Sequence, residues 1–334
     1  MADIINPHDR FFKEVLTRGN TAKQFLENYL PHDVTKLLDL DSLEYTKDTF
    51  IDKHLKEYFS DLLLKTYLKD GSRGYVYILF EHKSYQEPLT AFHLLRYMVK
   101  IWEMSLKNGE TPGFPVIIPL VFYHGEKRWR AGLNLKSLFN HPEDMVSFMP
   151  DFQYLLWDAS GYSDEEIKGN AVLRVTLLIM KYIFREDLRG HLPGILRLLK
   201  DLSKKQTSIE YIETVLKYLV NAAPTDNISY EEIKAAVDEA LPNIGGKIMP
   251  TVADSLREQG IQQGIQQGIQ QGIQQNAREA VIVGLEVRFE TVPRSLVKVL
   301  NEINDPSILG MLHRKVLTAK SLDDFRHMVD LIMK

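Results

Sequence analysis

Residues 60–84, SDLLLKTYLKDGSRGYVYILFEHKS, restrict what this chain can fold into more than any other stretch. Two runs rich in Leu, Tyr, Val and Ile, Asp61–Leu68 and Tyr75–His82, flank the polar, glycine-bearing segment 69–74. That pattern predicts a β-hairpin. The second run, YVYILF, is apolar on both faces and so predicts a central strand covered on each side. It stops at three polar residues, Glu81, His82 and Lys83. A helix follows over Leu89–Leu106, with Leu94, Leu95, Met98, Ile101 and Trp102 on its apolar stripe and Arg96, Lys100 and Glu103 outside it. The run PVIIPLVFYHG, 115–125, then reads as another buried strand.

Upstream, Asp9 to Leu30 has helical spacing in Phe12, Val15 and Leu16 and again in Phe25 and Leu26, with a break at Gly19-Asn20 and a stop at Pro31. Val34 to Ser60 is mixed: Leu37, Leu38 and Leu40 fit a short helix or a strand, and Thr46 to Leu55 reads as extended. The order of elements predicts an α/β core over residues 1–160, a mixed central sheet flanked by helices. From about Ser160 the pattern turns helical, giving a helical region at 161–245 packed on the core. Residues 246–276 read as a linker that holds Gly-Ile-Gln-Gln four times, Gly260 to Gln275, and 277–334 as a helical C-terminal segment. Glycine costs about 1 kcal/mol per helical position, so the repeat is not expected to be a stable helix alone. A register for self-association and a flexible tether are both open readings of it.

Composition narrows the setting. The chain has no cysteine, which excludes disulfides and cysteine-based zinc sites and fits a reducing cytoplasm. The start MADIINPHDRFFKEV lacks the pattern of a signal peptide, and no apolar run approaches the ~20 residues that cross a bilayer. A formal net charge of −4 gives no support to a nucleic-acid partner, although a local basic groove on an acidic surface remains compatible with one.

The chemistry lies in the hairpin. A turn centred near Gly71 or Ser72 pairs residues whose numbers sum to about 143 or 144, which sets Asp61 across from His82 or Lys83 and beside Glu81. Strand alternation gives Glu81 and Lys83 one face and His82 the other. Two acids and a lysine at the end of an apolar strand are costly without a partner. Magnesium, which prefers carboxylate and water oxygens, fits the pair Asp61 and Glu81, with the backbone carbonyl of His82 as a further oxygen. Such a metal stabilises charge on a phosphodiester and helps ionise water. Lys83 is then placed to orient or deprotonate that water or to neutralise the phosphate. An acid, a gap, then acid-x-lysine across a hairpin is the requirement of a PD-(D/E)XK nuclease core.

The Glu-x-Lys triplet alone is common, and an exposed ion pair is its ordinary explanation; its place directly after YVYILF is what gives it weight. Glu14, on the first helix, is a further catalytic candidate, with a plain surface acid as the equal alternative. Asp9 reads as a helix cap, Gln86 as a loop residue and His124 as structural. The sequence holds no G-x-x-x-x-G-K-[ST], G-x-S-x-G, H-E-x-x-H or G-x-G-x-x-G after a strand, and its ten histidines show no metal-ligand spacing.

The segments HDRFFKEVL, SDLLLK, YVYILFEHKSYQEPLTAFHLLRYMVKIWE and PVIIPLVFYHGEKRW together resemble the bacterial recombination-promoting nuclease family, Rpn, whose members also carry the name transposase. The resemblance covers about the first 160 residues, with the glycine-spaced repeat fitting more loosely. It implies a PD-(D/E)XK fold, magnesium-dependent DNA cleavage that calcium can stimulate, and a role in RecA-independent recombination, gene transfer or phage defence. Asp61 and Glu81 match the family's acids. Lys83 stands where such proteins often have Gln, and it is the residue of the wider superfamily. No DDE-type triad supports the transposase name. A homo-oligomer, a dimer among others, suits an enzyme that cuts both strands.

Overall fold

The computed structural model describes residues 7–45, 60–81, 87–107, 109, 113–140, 143–200 and 206–332. They form two compact units, Met1–Val252 and Ala253–Lys334.

The first unit opens with helices α1 (Pro7–Leu16), α2 (Thr21–Tyr29) and the short α3 (His32–Thr35). Gly19, at φ +55°, takes the left-handed conformation that separates α1 from α2, as the Gly-Asn break predicts. Proline opens α1, so Asp9 is not a cap; it sits in the first turn, where its charge meets the positive end of the helix dipole. Strand β1 (Leu38–Tyr45) resolves the helix-or-strand ambiguity at Leu38 and Leu40 in favour of a strand. The extended reading of Thr46 to Leu55 lies outside the described residues.

The hairpin β2 (Ser60–Leu68) and β3 (Arg73–Glu81) is followed by α4 (Thr90–Lys107), β4 (Val116–Tyr123) and β5 (Leu155–Asp158). The strands make one sheet in the order β1-β2-β3-β4-β5. The first three are antiparallel neighbours, whereas β3, β4 and β5 run parallel. Strand β3 is therefore the hinge between a meander and a parallel half, and α4 is the crossover that the parallel step requires.

Both faces of the sheet are covered. Leu63, Ile117, Val121 and Tyr123 pack under Ala91, Leu94, Tyr97, Met98 and Ile101 of α4. On the other face the Phe122 ring meets Phe12 at 4.2 Å and Trp157 at 4.4 Å, and Phe25 lies against both Phe122 and Trp157. Coverage on both sides explains why Leu62, Leu63 and Leu64 are buried in succession where a half-exposed strand would alternate. Beyond the sheet come α5 (Ala171–Tyr182), α6 (Leu188–Arg197), α7 (Gln206–Ala222) and α8 (Tyr230–Ala240). Nearly every residue of α5 from Leu173 to Tyr182 is buried, including Lys181.

Lys181 is held by Asp164, whose Oδ1 accepts from Nζ at 2.5 Å and from the Tyr182 hydroxyl at 2.8 Å. Burial alone would raise the Asp164 carboxyl, but those two hydrogen bonds and the charges of Lys181 and His191 hold it below the ordinary range. A depressed carboxylate contributes stability that is present above its unfolded value, near 4, and is lost as the pH falls through its folded value. Asp164→Asn is therefore expected to cost about 2 kcal/mol at neutral pH. Urea midpoints of variant and wild type should converge at acid pH below that range; a gap that persists there would show that packing, not charge, sets the loss.

Helix α9 (Gly245–Phe289) runs through the Gly-Ile-Gln-Gln repeat without interruption. The repeat, not expected to be a stable helix alone, is helical as the middle of a longer helix. Its glycines are embedded between better helix formers on both sides, and extending an existing helix costs far less than nucleating one. The second unit closes on its own core: Val281 and Leu285 of α9 pack with Leu296 and Leu300 of α10 (Arg294–Glu302), Leu309, Leu312 and Val316 of α11 (Pro306–Thr318), and Phe325 and Val329 of α12 (Leu322–Ile332). No helix among the described residues is long and apolar enough to cross a membrane.

Candidate active site

The turn of the hairpin fixes where its acids stand. Gly71 N–H donates to Leu68 O at 2.9 Å and Leu68 N–H to Ser72 O at 2.7 Å, while Asp70 accepts from the Ser72 amide. Gly71 has φ +84°, so it fills the left-handed position that follows a tight turn and is not the centre of that turn. The ladder accordingly pairs Tyr67 with Arg73, Leu63 with Tyr77, and Asp61 with Leu79. This corrects the predicted register, in which Asp61 stood across from His82 or Lys83. The pairing sum is 140, from 61 and 79, because the turn is centred on Asp70.

Asp61 remains close to Glu81, two positions beyond its partner. Diagonal neighbours of this kind across an antiparallel pair lie about 7–8 Å apart. His82, Lys83 and Gln86 lie outside the described residues.

Glu81 is also the start of a row across the parallel half of the sheet: it pairs with Tyr123, and Tyr123 pairs with Asp158. Three strands therefore end together at their carboxyl ends, with β2 beginning beside them. Tyr123 is fully buried, and its ring meets Trp129 edge-on at 5.0 Å. At Gly125, where the chain leaves β4, a Cβ would collide with the Tyr123 ring, so only glycine fits. Asp158 accepts hydrogen bonds from the Trp129 amide at 2.9 Å and from Ser160 N and Oγ at 2.9 and 2.7 Å. The Trp129 indole donates to the Tyr154 hydroxyl at 3.2 Å, which itself donates to Gly132 O at 2.8 Å. Burial pushes the Tyr154 phenol up to about 12, against the pull of the Trp129 bond, so it remains a neutral donor.

The other candidates are dispersed. Glu14 pairs with Arg18 and accepts from Thr214 Oγ1 at 2.9 Å, which ties α1 to α7. His124 is buried; its Nδ1 donates to Met180 O at 3.2 Å and its ring stacks on Phe184. His8 shares that cluster and is 2.7 Å from the Tyr218 hydroxyl. Both fit packing roles, as His124 was expected to. Lys100 is paired with Glu103 on α4. No group of three or more His, Asp and Glu side chains among the described ones is arranged for a metal ion, so a metal reading rests on the Asp61 and Glu81 positions. The residue types there, two carboxylic acids, are the oxygen donors that a hard cation takes.

Sequence reading missed β5 and with it Asp158 and Trp129. The strand has four residues, LLWD, too short to show periodicity; the only signal was the Asp-Ala-Ser turn after it.

Fold and site together define a mixed α/β protein with two acidic positions where an antiparallel meander passes into a parallel crossover. The chain belongs to the YhgA-like family: residues 6–210 match the family described as "Putative transposase, YhgA-like". Among curated proteins it is 30% identical to the "Inactive recombination-promoting nuclease-like protein RpnE" of Escherichia coli K12, over 91% of this chain and 96% of that one. It is 28% identical to the "Recombination-promoting nuclease RpnD" of Escherichia coli O157:H7, over 75% of this chain and 94% of the relative, and 30% identical to RpnA of strain K12, over 77% and 85%. No solved structure matches the chain significantly.

Proposed function

We propose that this chain is a metal-dependent DNA endonuclease with a PD-(D/E)XK core, acting in DNA recombination or gene transfer. The observation that carries the reading is the β2–β3 register, with Asp61 two positions from Glu81 at the edge where three parallel strands end. The names of the relatives RpnD and RpnA support it. In this reading Asp61, Glu81 and the His82 carbonyl hold magnesium, and calcium is the cation to try beside it. When bound, the metal supplies a Lewis acid for the phosphodiester. Asp61 and Glu81 set its position. Lys83 orients the attacking water, takes its proton, or neutralises charge building on the phosphate. Glu14 is kept as a candidate that would have to release Arg18 and Thr214 to take part.

The test is plasmid nicking in magnesium and in EDTA, with wild type, Asp61→Ala and Lys83→Ala at equal folded fraction. Metal-dependent nicking by wild type and loss in both variants is expected. Equal nicking by all three would place the activity elsewhere.

A second reading is favoured by one observation. Ile261, Ile265, Ile269 and Ile273 of the repeat are all more than half exposed, an apolar series on a helix with no cover. A chain that assembles through this series on an inactive nuclease fold, as the name of RpnE suggests for that relative, would show an oligomer and no cutting. Sedimentation of wild type against a variant with the four isoleucines changed to glutamine decides it: a monomer in both removes the assembly reading.

A further inference from the structure

We propose that the loop after β4, Lys127-Arg128-Trp129-Arg130, is a phosphate-binding loop that holds the backbone of duplex DNA beside the candidate site, with Trp129 as its anchor. The proposal takes duplex DNA as substrate from the nuclease reading above.

Three observations carry it. The first is position. The loop leaves β4 directly after Tyr123, whose backbone partner is Glu81, and is tied back to Asp158, the next strand's residue in the same row. Neighbouring strands lie about 4.8 Å apart, so that tie is about 10 Å across the sheet from Glu81, a distance that spans only a few nucleotides of one strand.

The second is charge. Lys127, Arg128 and Arg130 are three cations in four residues, and all three are exposed. In a chain of net charge −4 such a run is a local exception, and it falls at the edge that holds the two acidic positions.

The third is rigidity. A basic run serving only solubility has no need of an anchor. Here Trp129 is fastened by its amide to Asp158, by its indole to Tyr154, and by its ring to Tyr123. The flanking cations are thereby presented at a fixed place, which lowers the ordering cost when phosphates bind. The Arg128 guanidinium lies against Gly161, where an added Cβ would come within 3.0 Å of Nη1. Guanidinium groups suit bidentate contact with phosphate oxygens, the chemistry that two of these three cations offer. An acidic protein would also be drawn to these cations; duplex DNA is favoured because the distance from the tie to Glu81 matches a few nucleotides of one strand.

The experiment is binding of short labelled duplexes in EDTA, where hydrolysis is silent, across a series of salt concentrations. The triple variant Lys127→Ala/Arg128→Ala/Arg130→Ala is compared with a control that removes the same charge elsewhere, Lys36→Ala/Lys234→Ala/Lys247→Ala. Each lost phosphate contact lowers the slope of log K against log salt by about 0.9, so the loop variant should lose about 2–3 from the slope. Affinity should fall alike for duplexes of unrelated sequence, and the control should stay near wild type. Trp129→Ala, which keeps every charge, should weaken binding while Trp129→Phe retains most of it. An unchanged slope in the loop variant, or an equal loss in the control, overturns the proposal. If wild type never cuts DNA but the slope falls as stated, the loop stands and the nuclease reading fails; if wild type cuts and the slope does not move, the reverse holds.

Discussion

Phe122→Ala is expected to destabilise the first unit by about 3–5 kcal/mol, the range for emptying a large aromatic site in a core that cannot fully collapse. Phe122 is fully buried, lies nearly parallel to Trp157 with 16° between the rings, and touches both Phe12 and Phe25. Those partners come from β5, α1 and α2, so no single element can move in to fill the space. For a unit of this size each kcal/mol is worth roughly 2–4 °C, so the melting temperature should drop by about 10 °C. Phe148→Ala is the matched control: that ring is 80% exposed and should change stability by less than about 0.5 kcal/mol. Comparable losses for the two, in a denaturant titration, would mean that this aromatic cluster is not what binds the helices to the sheet.

The second large effect concerns the two acids, and it can be read without any cleavage. In the proposed site Asp61 and Glu81 stand diagonally across the β2–β3 ladder, and two carboxylates that share one cation position disfavour each other's charge when it is empty. Replacing one by its neutral amide, as in Asp61→Asn or Glu81→Gln, should leave the melting temperature in EDTA equal to wild type or above it. A cation that binds only the folded chain raises stability by about 2.7 kcal/mol at a hundredfold excess over its dissociation constant. Wild type should therefore gain several degrees in magnesium, and either amide variant should gain almost nothing. Cleavage, where measured, should fall at least a hundredfold to a thousandfold, the usual loss when one fixed electrostatic contact to the transition state is removed. Variants that melt early in EDTA would show instead that the acids are structural. A magnesium-induced rise that survives both substitutions would move the cation to other residues.

The sheet was largely legible because its strands are long and apolar. YVYILF and VIIPLVFY have no amphipathic alternative, and Pro and Gly punctuate the helices around them. The register was legible only to within a few residues. A glycine in a turn can occupy its centre or the left-handed place after it, and those choices slide one strand past the other; Gly71 takes the second. Strand β5 was hidden by its length, and its consequence was hidden with it: Asp158 earns its place through the Trp129 amide, a contact 29 residues back that no local pattern announces. The helix through the repeat was hidden for a different reason. Four glycines have poor helix propensity taken alone, but propensity summed over 16 residues says little about a segment continued from helix on either side. Glu14 shows the limit of reading an acid by its helix, since what it meets, Thr214, comes from a helix 200 residues away.

The row Glu81–Tyr123–Asp158 has one more implication. The segments that follow β4 and β5 leave the sheet from the same edge, as they must when parallel strands stop in line. The scaffold beneath is held by Phe122, Trp157 and the α4 contacts, none of which belongs to those segments. Exposed positions on those segments can therefore change with little effect on folding, and a lineage built on this sheet can change what it grips while the acids stay where they are. Directed evolution confined to the exposed positions 126–128, 130 and 165 should thus give folded variants at far higher frequency than the same mutational load spread over the strands.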